Sequence, residues 1–532
     1  MMAYLSMMAP RLVELRRVLR SSGSIYLHCD PAAGHYLKML MDAAFGASNF
    51  RNEIVWRRTN AHNKLSKQFG PIHDLVLFFT KSDSFTFHPG RRPYSKSYIE
   101  NSFPYEDGRG RYQSNVLTGS GTRTGASGKP WRKYDPTKKG RHWAIPAKLV
   151  AELELGANDM PPQEVLEKLD ELGLLLHPAG SGSVPRYKQY LDTSEGVLYQ
   201  DIWAYQPGTK KTLFGTDEGI DQDVKWLDAE DEKLGYPTQK PVGLLERIIR
   251  SSSDEGGVVL DPFCGCGTAI EAAQKLKRRW IGIDITHLAI NLIKHRLRDA
   301  LGYEVSPKDV IGEPTSVPDA EQLATEDPYQ FQFWALGLVG ARPAEPKKGA
   351  DRGIDGRLYF HDEPAGGKTR SVIFSVKAGH VDVSHLRDLR GVLDRELAEM
   401  GVLLCLQAPT KAMRTEAASA GFYSSKHWGK YPRLQILTIE EILTGKGIDY
   451  PSVHHRIDKT FQKAPRVEMP DAIAALILPL DSEADSRQPP ATKPAAKGSR
   501  TSDAGRSGDC SGKRTRPDTS ANASQKRNGK RR

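Results

Sequence analysis

A chain of 532 residues with 38% hydrophobic and 27% charged content is too long for one ordinary core and reads as two or three soluble domains. Its longest apolar runs, 402–406 and 472–480, fall far short of the ~20 residues that cross a bilayer, and no basic region precedes the apolar residues 1–10, so neither a membrane span nor a secretory signal is expected. The formal charge of +11 gathers at the C-terminus, where residues from Asp485 onward hold 13 Lys or Arg against 4 Asp or Glu, and so +9 of the total; such a tail attracts any polyanion by counterion release without reading its sequence.

Apolar Leu12, Leu15, Val18 and Leu19 recur at helical spacing and predict a helix over 9–19, stopped by Ser21, Ser22 and Gly23. A short strand follows at 24–28, a helix at 35–45 ended by Gly46, and strands at 52–57 and 75–80. This alternation predicts a parallel α/β sheet. From 85 to 224 the periodicity dissolves into Gly, Pro, Ser and basic residues with single aromatics, among them Tyr94, Tyr98, Tyr105, Tyr112, Trp131, Tyr134 and Trp143. A stretch this long without a period is expected to be a functional insertion or partly disordered. Regular structure resumes over 241–301. A polar linker is expected at 306–327, then a second α/β pattern over 328–446. The expected domains are thus 1–84 and 236–305 as two parts of one core, 85–235 as the insertion, 320–450 as a second α/β domain, 451–484 as a small helical segment, and 485–532 as a disordered basic tail.

The strongest chemical signal is Val258-Val-Leu-Asp-Pro-Phe-Cys-Gly-Cys-Gly-Thr. A strand ends at Asp261, a turn holds Gly265 and Gly267, and Thr268 opens a helix through Lys275. Glycines at such a turn let the backbone approach a ligand and tolerate positive φ. A second strand from Arg279 ends in Asp284, 17 residues after Gly267, where an acid can accept both hydroxyls of a ribose. Ile270 stands where the dinucleotide fingerprint has its third glycine, which disfavours a pyrophosphate cofactor such as NAD and suits S-adenosylmethionine. Cys264 and Cys266 have no paired ligands nearby. Five scattered cysteines (Cys29, Cys264, Cys266, Cys405, Cys510) fit a reducing cytoplasm rather than disulfides or zinc.

Together with Tyr236-Pro-Thr-Gln-Lys-Pro and the helix after it, this run resembles the DNA amino-methyltransferases of the adenine-N6 and cytosine-N4 type, in the order of their β group, over residues 1–300. The resemblance implies a Rossmann-like S-adenosylmethionine-dependent sheet with a target-recognition insertion, whose aromatic and basic residues contact DNA. It implies that Asp261, Phe263, Cys264, Gly265, Gly267 and Thr268 shape the methionine end of the pocket. Asp284 would hold the ribose, and Thr238, Gln239 and Lys240 would close over the methionine carboxylate. The family's catalytic element, Asp, Asn or Ser before Pro-Pro and an aromatic, occurs nowhere in the sequence: Asp30-Pro31 continues with Ala, and Pro161-Pro162 follows Met160. In the family it lies upstream of a helix like 9–19, so this chain is expected to begin just after it, through a misassigned start, a truncation, or supply of the strand from elsewhere.

The second α/β pattern holds Gly353-Ile-Asp355-Gly and Ser375-Val-Lys377, and resembles the Mrr-like restriction-endonuclease fold. There Asp355 and Lys377 would be catalytic and Asp355 a ligand of Mg²⁺. Ser375 takes the place of a carboxylate, with Gln330 or Gln332 where an upstream Glu often lies. One carboxylate holds Mg²⁺ poorly. The expectation is an α/β, cytoplasmic, bacterial restriction-modification protein that methylates an exocyclic amine of double-stranded DNA, adenine N6 ahead of cytosine N4. Its protein partner would be a second copy or a restriction subunit. Two alternatives stay open: an inactive DNA-binding or assembly protein, and a nuclease with S-adenosylmethionine as effector.

Overall fold

Residues 31–45 carry Leu37, Met41 and Phe45 at helical spacing, and helix α2, Pro31–Phe45, buries all three; Asp30 caps its start by accepting from the Ala32 amide at 2.8 Å. Helix α1, Met2–Val18, packs beside it through Met8 and Leu12, beginning seven residues before the periodic stretch because Ala3, Leu5 and Met7 are themselves good helix formers. The computed structural model describes residues 1–451 apart from 61–66, 68, 153–159, 179–182, 194–195, 228–231, 235, 237, 345–352 and 363–367. The expected segments 451–484 and 485–532 lie, Pro451 apart, outside the described residues. Among the described residues no helix is long and apolar enough to cross a membrane.

Strands β1, Ser24–Cys29, β2, Phe50–Arg57, β3, His73–Thr80, and β4, Ile202–Trp203, form one sheet in the order β1-β3-β2-β4. The parallel sheet expected here is corrected. Strand β3 lies antiparallel between β1 and β2, with Ser24 opposite Thr80 and Val55 opposite Leu75. The connections differ: α2 stands between β1 and β2, whereas β2 and β3 are 15 residues apart, and a strand that follows its neighbour without a crossover helix pairs antiparallel. Alternate residues of β3 face opposite layers. Leu75, Leu77 and Phe79 meet α1 and α2, while Val76 and Phe78 meet Ile54, Trp56, Trp203 and Leu244. Burying a side chain such as Leu77 or Phe79 stabilises by roughly 1.5–3 kcal/mol.

Leu244 belongs to α3, Val242–Ser252, whose other face sets Val242 and Ile249 against Ala272 and Ala273. One amphipathic helix therefore lies under both the first sheet and the parallel pair β5, Val258–Asp261, and β6, Arg279–Gly282. Helix α4, Thr268–Lys275, follows β5, and α5, His287–Leu301, follows β6.

The insertion has its own core. Strands Tyr105–Asp107, Gly110–Val116, Arg186–Tyr190 and Leu175–Leu176 form an antiparallel sheet in that order, covered by the helix Pro162–Glu171. Tyr112, Trp131, Tyr134 and Trp143 are buried in it with Val165, Leu166 and Leu169. This corrects two expectations. The segment is not irregular throughout, and these four rings hold the subdomain together instead of facing a nucleic acid. Tyr98 and Tyr105 stay exposed.

The expected polar linker contains a helix as well: α6, Val317–Glu326, opened by a Ser316–Asp319 capping box. Helix α7, Pro328–Leu338, leads into a five-stranded sheet of β7, Arg342–Pro343, β8, Gly356–Phe360, β9, Arg370–Lys377, β10, Met400–Cys405, and β11, Leu434–Thr438. Strands β9, β10 and β11 are parallel, β7 and β8 antiparallel. Both faces of the sheet are covered. Val372, Phe374 and Val402 pack on Phe331, Trp334 and Leu336 of α7, and Ile373 and Leu403 pack on Leu386, Leu389 and Leu393 of α8, Val383–Glu396.

Candidate cofactor site and a nuclease-like residue pair

The turn between β5 and α4 needs its two glycines. Gly265 has φ +49° and Gly267 has φ +76°. A Cβ on Gly265 would lie 3.0 Å from the Tyr236 ring, and one on Gly267 would lie 2.7 Å from Ile293. The turn is thus sealed by Tyr236 on one side and α5 on the other. Thr268 Oγ1 donates to Lys240 O at 3.3 Å, which joins segment 236–240 to the same turn.

Asp284, just past β6, reaches back to it. Its Oδ2 accepts from the Gly265 amide at 2.9 Å, and its Oδ1 accepts from the Thr286 amide and hydroxyl, both at 3.0 Å. These three bonds leave one lone-pair site open on Oδ2, and a second opens on Oδ1 when the Thr286 hydroxyl turns away. Asp261 Oδ1 accepts from Phe263 N at 3.1 Å. Burial holds the Asp261 carboxyl above its ordinary range, and the charge of Asp284 pushes it the same way. Burial also pushes the Cys264 thiol up to about 12 and raises that of Cys266, so both are neutral packing groups. Phe263, Ile283 and Ile285 stay exposed beside the turn.

Two carboxylates beside exposed apolar side chains suit a ligand with donors and a flat ring. Ile270, fully buried, leaves no glycine for a pyrophosphate. S-adenosylmethionine, with an ammonium, a ribose and an adenine but no phosphate, fits these residues.

The 236–240 segment divides. Burial pulls the Lys240 ammonium pKa down, against the opposing charge of Asp74; its Nζ donates to Thr238 O at 2.9 Å. Gln239 spends its amide on its own segment, accepting from Leu234 N at 2.7 Å and donating to Glu232 O at 2.5 Å. Sequence reasoning missed two groups around this site and gave no role to a third, Tyr236, which it quoted only as part of a motif. Asp74, at the start of β3, accepts from His28 and Arg58, each at 2.8 Å, at the edge where β1 and β2 end. Arg296 of α5 is buried and donates to Glu271, to Cys266 O at 3.3 Å and to Thr268 Oγ1 at 3.2 Å. Tyr236 covers Gly265. Of the two missed groups only Arg296 carried a signal: Glu271 stands three residues into an apolar helix, where an unpaired acid would be costly.

The second site is partly assembled. Lys377 Nζ lies 3.8 Å from Asp355 Oδ2, so the two residues that the Mrr-like resemblance named lie side by side. The same oxygen already accepts from the Val376 amide at 2.7 Å, and Ser375 is buried. Gln332 donates to the backbone oxygen of Asp355 at 3.3 Å, and Gln330 accepts from the His287 amide at 3.0 Å, so neither glutamine replaces an acid here. Among the described residues no three His, Cys, Asp or Glu side chains converge on one point, and a lone Asp355 does not fit Mg²⁺, which is held through carboxylates in near-octahedral geometry.

The sequence profile of the N6/N4 DNA methylase family matches residues 1–295, and that of the NACHT-associated inactive restriction endonuclease 1 family matches residues 329–443. The type II methyltransferase M.EcaI of Enterobacter cloacae is 28% identical over 299 residues, covering 55% of this chain and 57% of that protein. The Mod subunit of the type III restriction-modification enzyme StyLTI of Salmonella typhimurium is 28% identical over 281 residues, covering 52% of this chain and 38% of its own length. The chain spans about half the length of these curated relatives. Among solved structures, an M1.HpyAVI–SAM complex aligns at 13% identity and a TM-score of 0.24, over 54% of this chain and 80% of that one.

Proposed function

This chain belongs to the N6/N4 DNA methylase family, and from that premise we propose that it binds S-adenosylmethionine at the turn 261–268 and serves methylation of an exocyclic amine in double-stranded DNA, adenine N6 ahead of cytosine N4, within a bacterial restriction-modification system in the cytoplasm. The observation that carries the reading is the convergence of Asp261, Asp284, Tyr236 and the two positive-φ glycines on one turn. When bound, the cofactor supplies an electrophilic methyl group. Asp284 accepts the ribose hydroxyls while staying anchored to Gly265 N, Asp261 faces the methionine end, and Lys240, with its segment, covers the carboxylate. In this reading residues 1–84 and 236–305 are one catalytic core, and 85–235 reads the target through exposed basic side chains.

The amine lone pair is delocalised into the base, and methylation needs a side-chain acceptor and a backbone carbonyl to localise it. No Asp, Asn or Ser before Pro-Pro and an aromatic lies within the 532 residues. The chain alone is therefore expected to bind cofactor and DNA and to transfer methyl only when a different polypeptide bearing that element is supplied; a second copy or a restriction subunit is the proposed protein partner. The test is calorimetric titration with S-adenosylmethionine of the wild type and of Asp284→Ala, beside radiolabelled methyl transfer to mixed genomic DNA. Loss of two charge-assisted hydrogen bonds should cost about 1–3 kcal/mol, or roughly 5- to 150-fold in affinity. Equal affinities, or a preference for NAD, overturn the cofactor assignment, and robust transfer by residues 1–532 overturns the need for a supplied element.

A second reading rests on the Asp355–Lys377 approach: the C-terminal domain would bind duplex DNA. With Asp355 Oδ2 held by Val376 N and no partner acid among the described residues, it is expected to cut slowly or not at all.

A further inference from the structure

The first four amides of a helix have no partner inside it. At the start of α5, Thr286 is the cap: its hydroxyl accepts from Ala289 N at 3.2 Å, while its own amide donates to Asp284. The next amide, His287, is satisfied from another domain, donating to Oε1 of Gln330 on α7 at 3.0 Å. One turn on, Asn291 Nδ2 donates to Phe333 O at 3.3 Å, and a Cβ on Gly337 would lie 1.9 Å from Asn291 Nδ2. Helix α7 is therefore seated along the helix whose first turn fixes Asp284. It is itself immobilised in the C-terminal core by Phe331, Trp334 and Leu336.

We propose that Gln330 is a positioning residue of the cofactor site. By accepting from His287 N it holds the start of α5 wound, and so holds Thr286 and the Asp284 carboxylate where ribose hydroxyls meet them. The nuclease-like domain then acts as a brace for cofactor binding. Gln332, two residues along, donates to Asp355 O at 3.3 Å, so the brace is anchored beside the Asp355–Lys377 pair. A glutamine suits the task because it presents a neutral acceptor to the amide. Without it the His287 amide turns to water, the first turn frays, and the bonds from Thr286 to Asp284 go with it. Linkage makes the effect reciprocal: a cofactor that stabilises Asp284 tightens the seating of α7. The proposal rests on S-adenosylmethionine binding at Asp284, argued above.

The test uses the full chain. Gln330→Leu keeps the bulk and removes the acceptor, whereas Gln330→Glu keeps an acceptor whose charge a helix N-terminus favours. Calorimetric titration with S-adenosylmethionine should show Gln330→Leu weakened about three- to tenfold, the worth of one net hydrogen bond, and Gln330→Glu within about twofold of the wild type. Amide exchange at His287 and through α7 should slow on adding S-adenosylmethionine to the wild type and not to Gln330→Leu. Unchanged affinity in Gln330→Leu, beside a clear loss in Asp284→Ala, overturns the positioning role and leaves the cofactor assignment standing. If Asp284→Ala binds as the wild type does, both fall. A loss in Gln330→Leu that Gln330→Glu does not restore, tracking a lowered melting temperature, marks Gln330 as merely structural and also overturns the proposal.

Discussion

Arg296 is the largest fully buried side chain of the described residues, and its guanidinium makes an ion pair with Glu271, which is 3% exposed. Replacing Arg296 with Met leaves that carboxylate buried without a counter-charge. It also strips Cys266 O and Thr268 Oγ1 of a donor, at the turn expected to hold the cofactor. Breaking such a pair from one side costs about 3–5 kcal/mol, a large share of the ~5–15 kcal/mol that holds a domain folded. Glu271→Leu should cost a similar amount, since Glu232, the next acid, lies 3.9 Å from Arg296 Nη2. The double variant Arg296→Met/Glu271→Leu removes both charges together. It should lose only about 1–3 kcal/mol, for the acceptors left without a partner, and so be more stable than either single variant. Urea unfolding of the four proteins, with unchanged denaturant dependence as the condition for comparison, gives these values. The reasoning is refuted if the double variant loses the sum of the singles, or if Arg296→Met loses less than ~1 kcal/mol.

Burial raises the Asp261 pKa above its ordinary 3.8, so the folded state binds that proton more tightly than the unfolded one. Its contribution is complete below pH 3.8 and is lost as the pH rises through the raised folded value. Asp261→Asn should therefore make the cofactor-free protein more stable than the wild type as the pH rises from about 4 toward neutrality, and parallel stability curves in thermal melts would count against the assignment. Trp131→Ala should cost about 3–5 kcal/mol of the insertion's core alone, opening 105–190 to limited proteolysis while S-adenosylmethionine still binds; a parallel loss of binding would mean that the two units fold as one. Plasmid nicking with Mg²⁺ or Mn²⁺ should stay at background for the wild type, Asp355→Ala and Lys377→Ala alike, and rapid cutting abolished by either substitution would make the C-terminal domain a nuclease.

Local signals carried much of the result. The strand, turn and helix around Gly265 and Gly267 were legible because positive φ and close packing demand glycine at those positions, and a demand of that kind is written in the residue itself. The approach of Asp355 to Lys377 was reached through the resemblance to the Mrr-like fold and not from a local period. Three things needed the tertiary structure. The direction of β3 depends on whether a helix or a loop brings the chain back, and residues 58–72 show no period that would tell. The aromatics of the insertion look the same in sequence whether they face a ligand or each other, and only the antiparallel sheet with the helix Pro162–Glu171 put Trp131, Tyr134 and Trp143 inside. Gln330 resembled a replaced nuclease acid because its sequence neighbours are nuclease-like, but a side chain's work is set by what lies opposite. Here that is the His287 amide, 43 residues earlier, at the start of a helix in another domain.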